Sequence, residues 1–453
     1  SAPCDYKFDF PKDDPFLNGD EATLCWPGLA QNPGVDNTAQ GEQTCYWLAG
    51  RLALPFNYRR YASFFLNGTQ RSFIMEDTQK PDDDILKQWF PTEPAGDLYK
   101  LSIWREFAND SQNHTTIAGA QLANYISGGV KKTARYRWNW QPRAFQGTAN
   151  SFSNLFALAD LVNTTNNYTA SIEAGLDIDQ WMRMFAVEHI VANWDSYGYG
   201  NGQNMYAYKP VGGKWKMIPW DMDASLGNLS DPTTADLFKL SFLTLNGDVA
   251  VVGRMYNNVT FRRAAWRAYK EAVNGPLLST NVNTLLDAKY AAFQANGIAA
   301  ASPSNLKSWL ASRRSYIVGQ LASVAVNFAI TSNGGNDFST ATNPVTLVGT
   351  APVEITTIRI NDIPVPFTCT TETNWSLSFL LQSQTNVLQF AGYDRYGSLV
   401  PGATDSITIT FTGSSNLLLP TVFINEWMAE NTSFIADPAD GLYDDWFELY
   451  NPG

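Results

Sequence analysis

Residues 177–227, DIDQWMRMFAVEHIVANWDSYGYGNGQNMYAYKPVGGKWKMIPWDMDASLG, constrain this chain most, because they demand four different local structures in succession. Ile178, Trp181, Met182, Phe185, Ala186, His189 and Ile190 recur at three- and four-residue spacing, which puts one apolar stripe on a helix face. Asp177, with Gln180 three positions on, reads as a helix start of the capping-box type, Asp standing for Ser or Thr. The period breaks at Asn193-Trp194-Asp195, and Ser, Gly and Asn crowd the following positions, so a polar loop is expected there. NMYAYK and KWKMIPW then alternate around Val211-Gly212-Gly213 as a hairpin whose second strand ends at Trp220. Asp221 and Asp223 follow at once.

The segment thus delivers one carboxylate (Asp195) at a helix exit, an amide (Asn204) nine residues later, and two carboxylates at the end of a returning strand. Hard oxygen donors of this kind suit Mg²⁺ or Mn²⁺, ions that commonly arrive with phosphate. Phosphoryl transfer asks for an Asp to orient and deprotonate the acceptor hydroxyl, and for an Asn and an Asp to hold metal. Other readings attach to the same residues. The D-x-D-x-S array at Asp221 also opens a calcium loop, but Gly227 falls one position late and Pro232 stands where a bidentate Glu belongs. An isolated D-x-D also marks metal-dependent nucleotide-sugar transferases. His189 lies on the apolar stripe and reads as a satisfied core histidine. Trp220 is a candidate either to stack on a base or to pack under the hairpin.

The patterns N-x-D-S-Y, Q-N-x-Y-x-Y and G-x-W-x-x-I-P-W-D-M-D-x-x-x-G resemble the signature of the spore-coat CotH family of atypical, kinase-like proteins. The similarity extends through most of residues 5–325, with N-G-x-x-x-x-F-I-M-E at Asn67 to Glu76 and G-D-L-Y-K at Gly96 to Lys100. The resemblance implies that Asp195 is the catalytic-loop Asp and that Asp221 holds metal with Asn204 and Asp223. It places Lys100 and Glu76 near the nucleotide, implies ATP with Mg²⁺ or Mn²⁺ as cofactors, and makes a Ser/Thr-bearing surface or coat protein the substrate. The family pattern also begins earlier, with a strand pair and an Arg/Lys-Gly-x-Ser turn over the phosphates. No such turn precedes Asp5, so the expectation is that the N-terminal strands and the nucleotide lid are missing from this stretch of sequence.

The full 453 residues leave room for more than one domain, and their composition limits the partners. Net charge is −12, with 43 acidic against 31 basic side chains and no basic run, which argues against nucleic acid or anionic membrane. No apolar span of 18 residues exists to cross a bilayer. Cys4, Cys25, Cys45 and Cys369 fit no zinc spacing, and the three N-terminal ones leave room for one disulfide. Asn-x-Ser/Thr sequons, Thr- and Asn-rich loops and appended β modules point to a secreted or cell-surface protein.

The expected fold class is α+β. Residues 1–328 read as a two-lobed kinase-like domain with a short helix over 44–54, a strand pair around Asn67-Gly68, a helix in FSNLFALADLVN, and helix throughout 234–328. Arg313 and Arg314 read as solvated or capping charges. After the Gly/Asn-rich linker at 331–336, short alternating strands over 329–414 resemble an immunoglobulin-like β-sandwich. A second linker at 413–419 leads to 415–453, whose INEWMAEN and DWFELYN runs resemble the first strands of a lamin-tail domain. The sequence stops with too few strands to close that sandwich, so this piece is expected to be incomplete. The β modules are expected to attach the protein to a surface or to carbohydrate. The leading expectation is a secreted protein kinase; the alternatives are a non-catalytic adhesion protein that keeps the fold and a nucleotide-sugar transferase.

Overall fold

The computed structural model describes residues 5–16, 21–27, 36–106, 116–145, 148, 150–240, 248–413, 423–438 and 441–450. It is a mixed α+β protein, with ten α-helices among the described residues, all before the 3-10 turn at Ala322–Val324. The chain divides into two compact units, Ser1–Ala325 with Cys369–Thr373, and Val326–Thr368 with Asn374–Gly453.

In the first unit the helix over Ile178–Val191 sits at the centre, with twelve of its residues buried. It starts where the sequence signals it, since the Asp177 side chain accepts from the Gln180 amide at 3.2 Å. Ala192 ends it in the left-handed conformation, φ 56°, and its N–H closes on the Glu188 and His189 carbonyls. His189 is a core histidine: its ring nitrogens lie 2.8 and 3.0 Å from the carbonyl oxygens of Phe185 and Lys239. The hairpin forms as Met205–Pro210 and Lys216–Pro219, one residue short of Trp220. Its first strand also pairs with Gly96–Leu101, which pairs in turn with Trp140–Ala144, giving a four-stranded antiparallel sheet. Gln180 ties helix to hairpin from both ends of its amide, donating to the Met217 carbonyl and accepting the Met217 N–H at 2.8 Å.

A second sheet is built from Tyr6–Asp9, Glu21–Cys25, Met75–Thr78 and Arg59–Ala62, in that spatial order. The helix beside it covers Gly41–Arg51, earlier than the 44–54 expected, because Asp36 accepts from the Gln40 and Gly41 amides and begins the turn there. Asn67-Gly68 makes the expected tight turn, both residues at positive φ, between Phe65–Leu66 and Thr69–Gln70.

One expectation fails. Residues 234–240 are not helical; Asp236 accepts the Phe238 N–H at 2.7 Å, a local turn that competes with helix, and the helices begin at Val249. The non-helical stretch also explains Arg313, which is fully buried and takes the capping role of the two expected for it. Its guanidinium donates to the carbonyls of Thr233 and Ala235 in the irregular segment and to that of His189 in the last turn of the central helix, at 2.7–2.8 Å. Cys25, Cys45 and Cys369 are free thiols, while Cys4 lies outside the described residues, as does most of the 413–419 linker. No helix among the described residues is long and apolar enough to cross a membrane.

The second unit holds a four-stranded and a five-stranded sheet over residues 329–411. Leu347, Trp375 and Leu377 from the first and Ile358, Phe390 and Ile407 from the second share one buried cluster, so the two sheets face each other. Further along, Phe423–Met428 pairs antiparallel with Trp446–Tyr450.

Candidate functional site

The polar loop leaving the central helix folds tightly because its glycines let it. A Cβ on Gly198 would lie 2.0 Å from the Phe185 ring, so only glycine passes over the helix there. The loop returns its amides onto Asp195. Oδ1 accepts from Asn201 Nδ2 and Gln203 Nε2, both at 2.5 Å, and Oδ2 accepts from Asn204 Nδ2 at 3.0 Å. Three side-chain donors therefore fix one carboxylate. Burial still raises its pKa, with the Gln203 and Asn201 amides opposing and the nearby Asp221 charge adding to the rise.

Asp221 follows the hairpin in the left-handed region, φ 58°, uncommon for a residue with a Cβ. Its carboxyl is raised by burial, against Arg59 and Lys100. Asp223 is pushed up to about 9, first by burial and then by Asp221, Glu42 and Asp195. The half-buried Asp195, Asp221 and Asp223 and the buried Glu42 thus lie close enough for their charges to be felt across one cluster. Lys100 stands beside them: burial lowers its pKa, Asp221 holds it up, and its Nζ lies 5.5 Å from the Trp220 ring centroid. Trp220 itself packs edge-on to Tyr206, at 5.7 Å, against the buried cluster of Ile85, Leu86, Leu98 and Ile218.

Glu76 is placed differently. Its side chain is 2% exposed, and its two oxygens are taken by Arg59 Nη1 at 2.7 Å and Gln43 Nε2 at 2.9 Å. Arg59 in turn bonds Glu42 at 2.5 Å, and Lys289 Nζ reaches Gln43 Oε1 at 2.6 Å. The structure therefore brings Asp195 and Asn204 into contact, sets Asp221, Asp223 and Lys100 within electrostatic reach, and seats Glu76 in a buried ion-pair network behind them.

That network is what sequence reasoning missed, along with Asn201, Gln203 and Glu188. Arg59-Arg60 offers two adjacent arginines on a strand, and alternation turns one in and one out; their side chains are 4% and 52% exposed. Nothing in the sequence says which. Asn201 and Gln203 had a signal, since three amides in four positions after a catalytic-type Asp are more than a loop requires.

The residues fit a phosphate-bearing divalent cation by the chemistry of their donors. Carboxylates outnumber cationic side chains in this cluster, and an excess of negative charge partly withdrawn from water is relieved by a cation. Among the described residues no group of three or more His, Cys, Asp or Glu side chains is arranged to hold a metal ion by itself. A magnesium-type ion in a nucleotide site needs only one or two carboxylates, the remaining positions being phosphate oxygens and water. Asp221 and Asp223 would supply the carboxylates. Asn204, its amide nitrogen spent on Asp195, would offer its carboxamide oxygen.

Comparison with known proteins adds two findings. Residues 30–317, more than half the chain, match the family described as CotH kinase protein. A stretch of 110 residues is 26% identical to Invasin CotH2 of Rhizopus delemar, covering 23% of this chain and 18% of that protein.

Proposed function

The chain belongs to the CotH kinase protein family, and from that premise we propose that its first unit is a two-lobed, kinase-like phosphotransferase that moves the γ-phosphoryl group of ATP to a Ser or Thr hydroxyl of a surface or coat protein. The observation that carries the reading is the Asp195 carboxylate, held by three amides beside Asp221 and Asp223. Mg²⁺ or Mn²⁺ with ATP, when bound, would supply the phosphoryl donor and the positive charge that the carboxylates lack.

Each residue then has a task. Asp195 orients the acceptor hydroxyl and receives its proton; a carboxylate that cannot rotate holds one lone pair on the substrate, which is where positioning helps a general base. Asn204 fixes that carboxylate and presents its oxygen to the metal. Asp221 and Asp223 hold the metal. Lys100, which feels the charge of Asp221 and lies 5.5 Å from the Trp220 ring centroid, would meet the nucleotide. Glu76 serves from behind by fixing Arg59. The β sheets of residues 329–450 act as surface-attachment modules of immunoglobulin-like and lamin-tail-like kind, and the protein works outside the cell.

The likeness to a protein called invasin favours a second reading, in which the same fold serves adhesion without turnover. Incubating the protein with γ-labelled ATP, Mn²⁺ and candidate acceptor proteins, against Asp195→Ala, separates the two. Label transferred by the wild type and absent with Asp195→Ala supports the kinase. No transfer and no metal-dependent nucleotide binding leaves adhesion.

A further inference from the structure

The turn that carries Asp221 is held from outside itself. Asp221 sits at φ 58°, a conformation that crowds the Cβ of an L residue, and it has no strand or helix partner to keep it there. Two side chains of the Gly41–Arg51 helix take its amides instead. The Tyr46 hydroxyl oxygen accepts the Asp221 N–H at 2.9 Å, and Glu42 Oε1 accepts the Met222 N–H at 3.0 Å. Glu42 and Tyr46 lie one helical turn apart, so they meet on one face, where the Tyr46 O–H donates to Glu42 Oε1 at 3.0 Å.

These acceptors are themselves fixed. Arg59 Nη2 bonds the same Glu42 oxygen at 2.5 Å, Arg59 Nη1 bonds Glu76 at 2.7 Å, and Gln43 closes the chain to Lys289 of the Ser279–Ala295 helix. Glu42, Tyr46, Arg59 and Glu76 are all nearly inaccessible, so water does not compete for these bonds. A merely stabilising ion pair would need no link to the turn; here one carboxylate oxygen serves the arginine and the turn together.

We infer that Tyr46 and Glu42 are positioning residues, which set the left-handed backbone of Asp221 and so aim its carboxylate at the metal. The inference rests on the reading of Asp221 as a metal-holding residue. It also makes the first helix the element on which metal affinity depends: a shift of that helix moves both acceptors at once, and Arg59 and Lys289 lock it to the sheet and to the Ser279–Ala295 helix.

Amide hydrogen exchange tests this in the full chain. In the wild type without ligand, Asp221 and Met222 are expected to exchange at least tenfold more slowly than open-loop amides, although they lie outside secondary structure; exchange at open-loop rates overturns the inference outright. Tyr46→Phe removes the hydroxyl, and with it both the acceptor for the Asp221 N–H and the bond donated to Glu42. It should keep the fold by circular dichroism, speed exchange at Asp221 at least tenfold, and raise the Mn²⁺ concentration that half-saturates nucleotide-dependent thermal stabilisation about five- to thirtyfold. Glu42→Gln, which keeps an acceptor oxygen, should stay closer to the wild type than Glu42→Ala in both readouts. A folded Tyr46→Phe protein with unchanged exchange and unchanged Mn²⁺ requirement refutes the positioning role. If the wild type shows slow exchange but no metal–nucleotide stabilisation at all, the phosphotransferase reading fails while the turn is held as described.

Discussion

Glu188 gives the sharpest test of how charge is arranged around the site. It lies on the central helix, fully buried, with Oε2 accepting from Asn193 Nδ2 at 2.8 Å and Oε1 without a well-formed hydrogen bond among the described residues, though Ser196 stands near the carboxyl. Burial pushes its carboxyl from 4.5 up to about 8, with Asn193 and Ser196 opposing and Asp195 adding to the rise. A carboxyl raised in the folded state contributes stability that is fully present below the unfolded pKa of 4.5 and is lost as pH rises through about 8. Within that window the folded chain holds one proton more than the unfolded chain, so stability falls by about 1.4 kcal/mol per pH unit, or about 4 kcal/mol from pH 5 to pH 8. Glu188→Gln removes the titration. Its oxygen keeps the Asn193 bond, while its NH₂ replaces Oε1 and costs about 1–3 kcal/mol at every pH. The two stability curves should therefore cross between about pH 5 and about pH 7, where the wild type has lost that same 1–3 kcal/mol, the variant being weaker at pH 4 and stronger at pH 8. Urea unfolding followed by tryptophan fluorescence at half-unit steps of pH reads the difference directly. Parallel curves would mean that Glu188 is ionised in the folded protein, and the account of this carboxyl would be wrong.

Three further outcomes follow from the same geometry. Asp195→Asn should leave metal–nucleotide affinity within a fewfold and cut phosphoryl transfer by about 10²-fold or more, whereas Asp221→Asn should weaken metal–nucleotide binding itself; equal binding defects, measured by calorimetry, would make Asp195 a ligand. Asp179 is held below the usual carboxylate range because Arg183 at 2.7 Å and Arg267 at 2.9 Å overcome the rise from burial. Its contribution is full above about pH 4 and lost as pH falls through the depressed pKa, so Asp179→Asn should cost about 1–3 kcal/mol at pH 7 and much less at pH 2–3, seen in pH-dependent unfolding. In the second unit Trp375 is 1% exposed and donates to the Thr350 carbonyl, so Trp375→Ala should cost about 3–5 kcal/mol in the unfolding of that unit.

How far the sequence could be read depends on whether a role is local. The central helix was legible because its stripe, its cap and its stop all lie within its own residues, and the hairpin because its turn and alternation do. Asp195 and Asn204 were legible as a pair for the same reason: nine residues and one loop connect them. The failures are non-local. Residues 234–240 look helical in pattern, yet Asp236 turns the chain and Arg313, 78 residues beyond Ala235, supplies the donors that an irregular segment needs. Glu42, 180 residues from Met222, carries no mark of its task, because an acidic side chain in the first turn of a helix is already explained by the helix dipole.

The buried charges share a further logic. A buried carboxylate is costly unless paired, and a local pattern cannot supply the pair. Arg59 has two anionic partners, Glu42 and Glu76, and its positive charge also opposes the rise at Asp221 and Asp223. Arg59 and Lys100 together cannot neutralise four carboxylates. The arrangement is stable where it is needed to be rigid, in the Glu42–Arg59–Glu76 network, and left short of positive charge at Asp221 and Asp223. The cation proposed for Asp221 and Asp223 would relieve that imbalance. The imbalance also sets the order in which losses should appear: breaking the closed part lowers stability first, and breaking the open part changes what the protein binds.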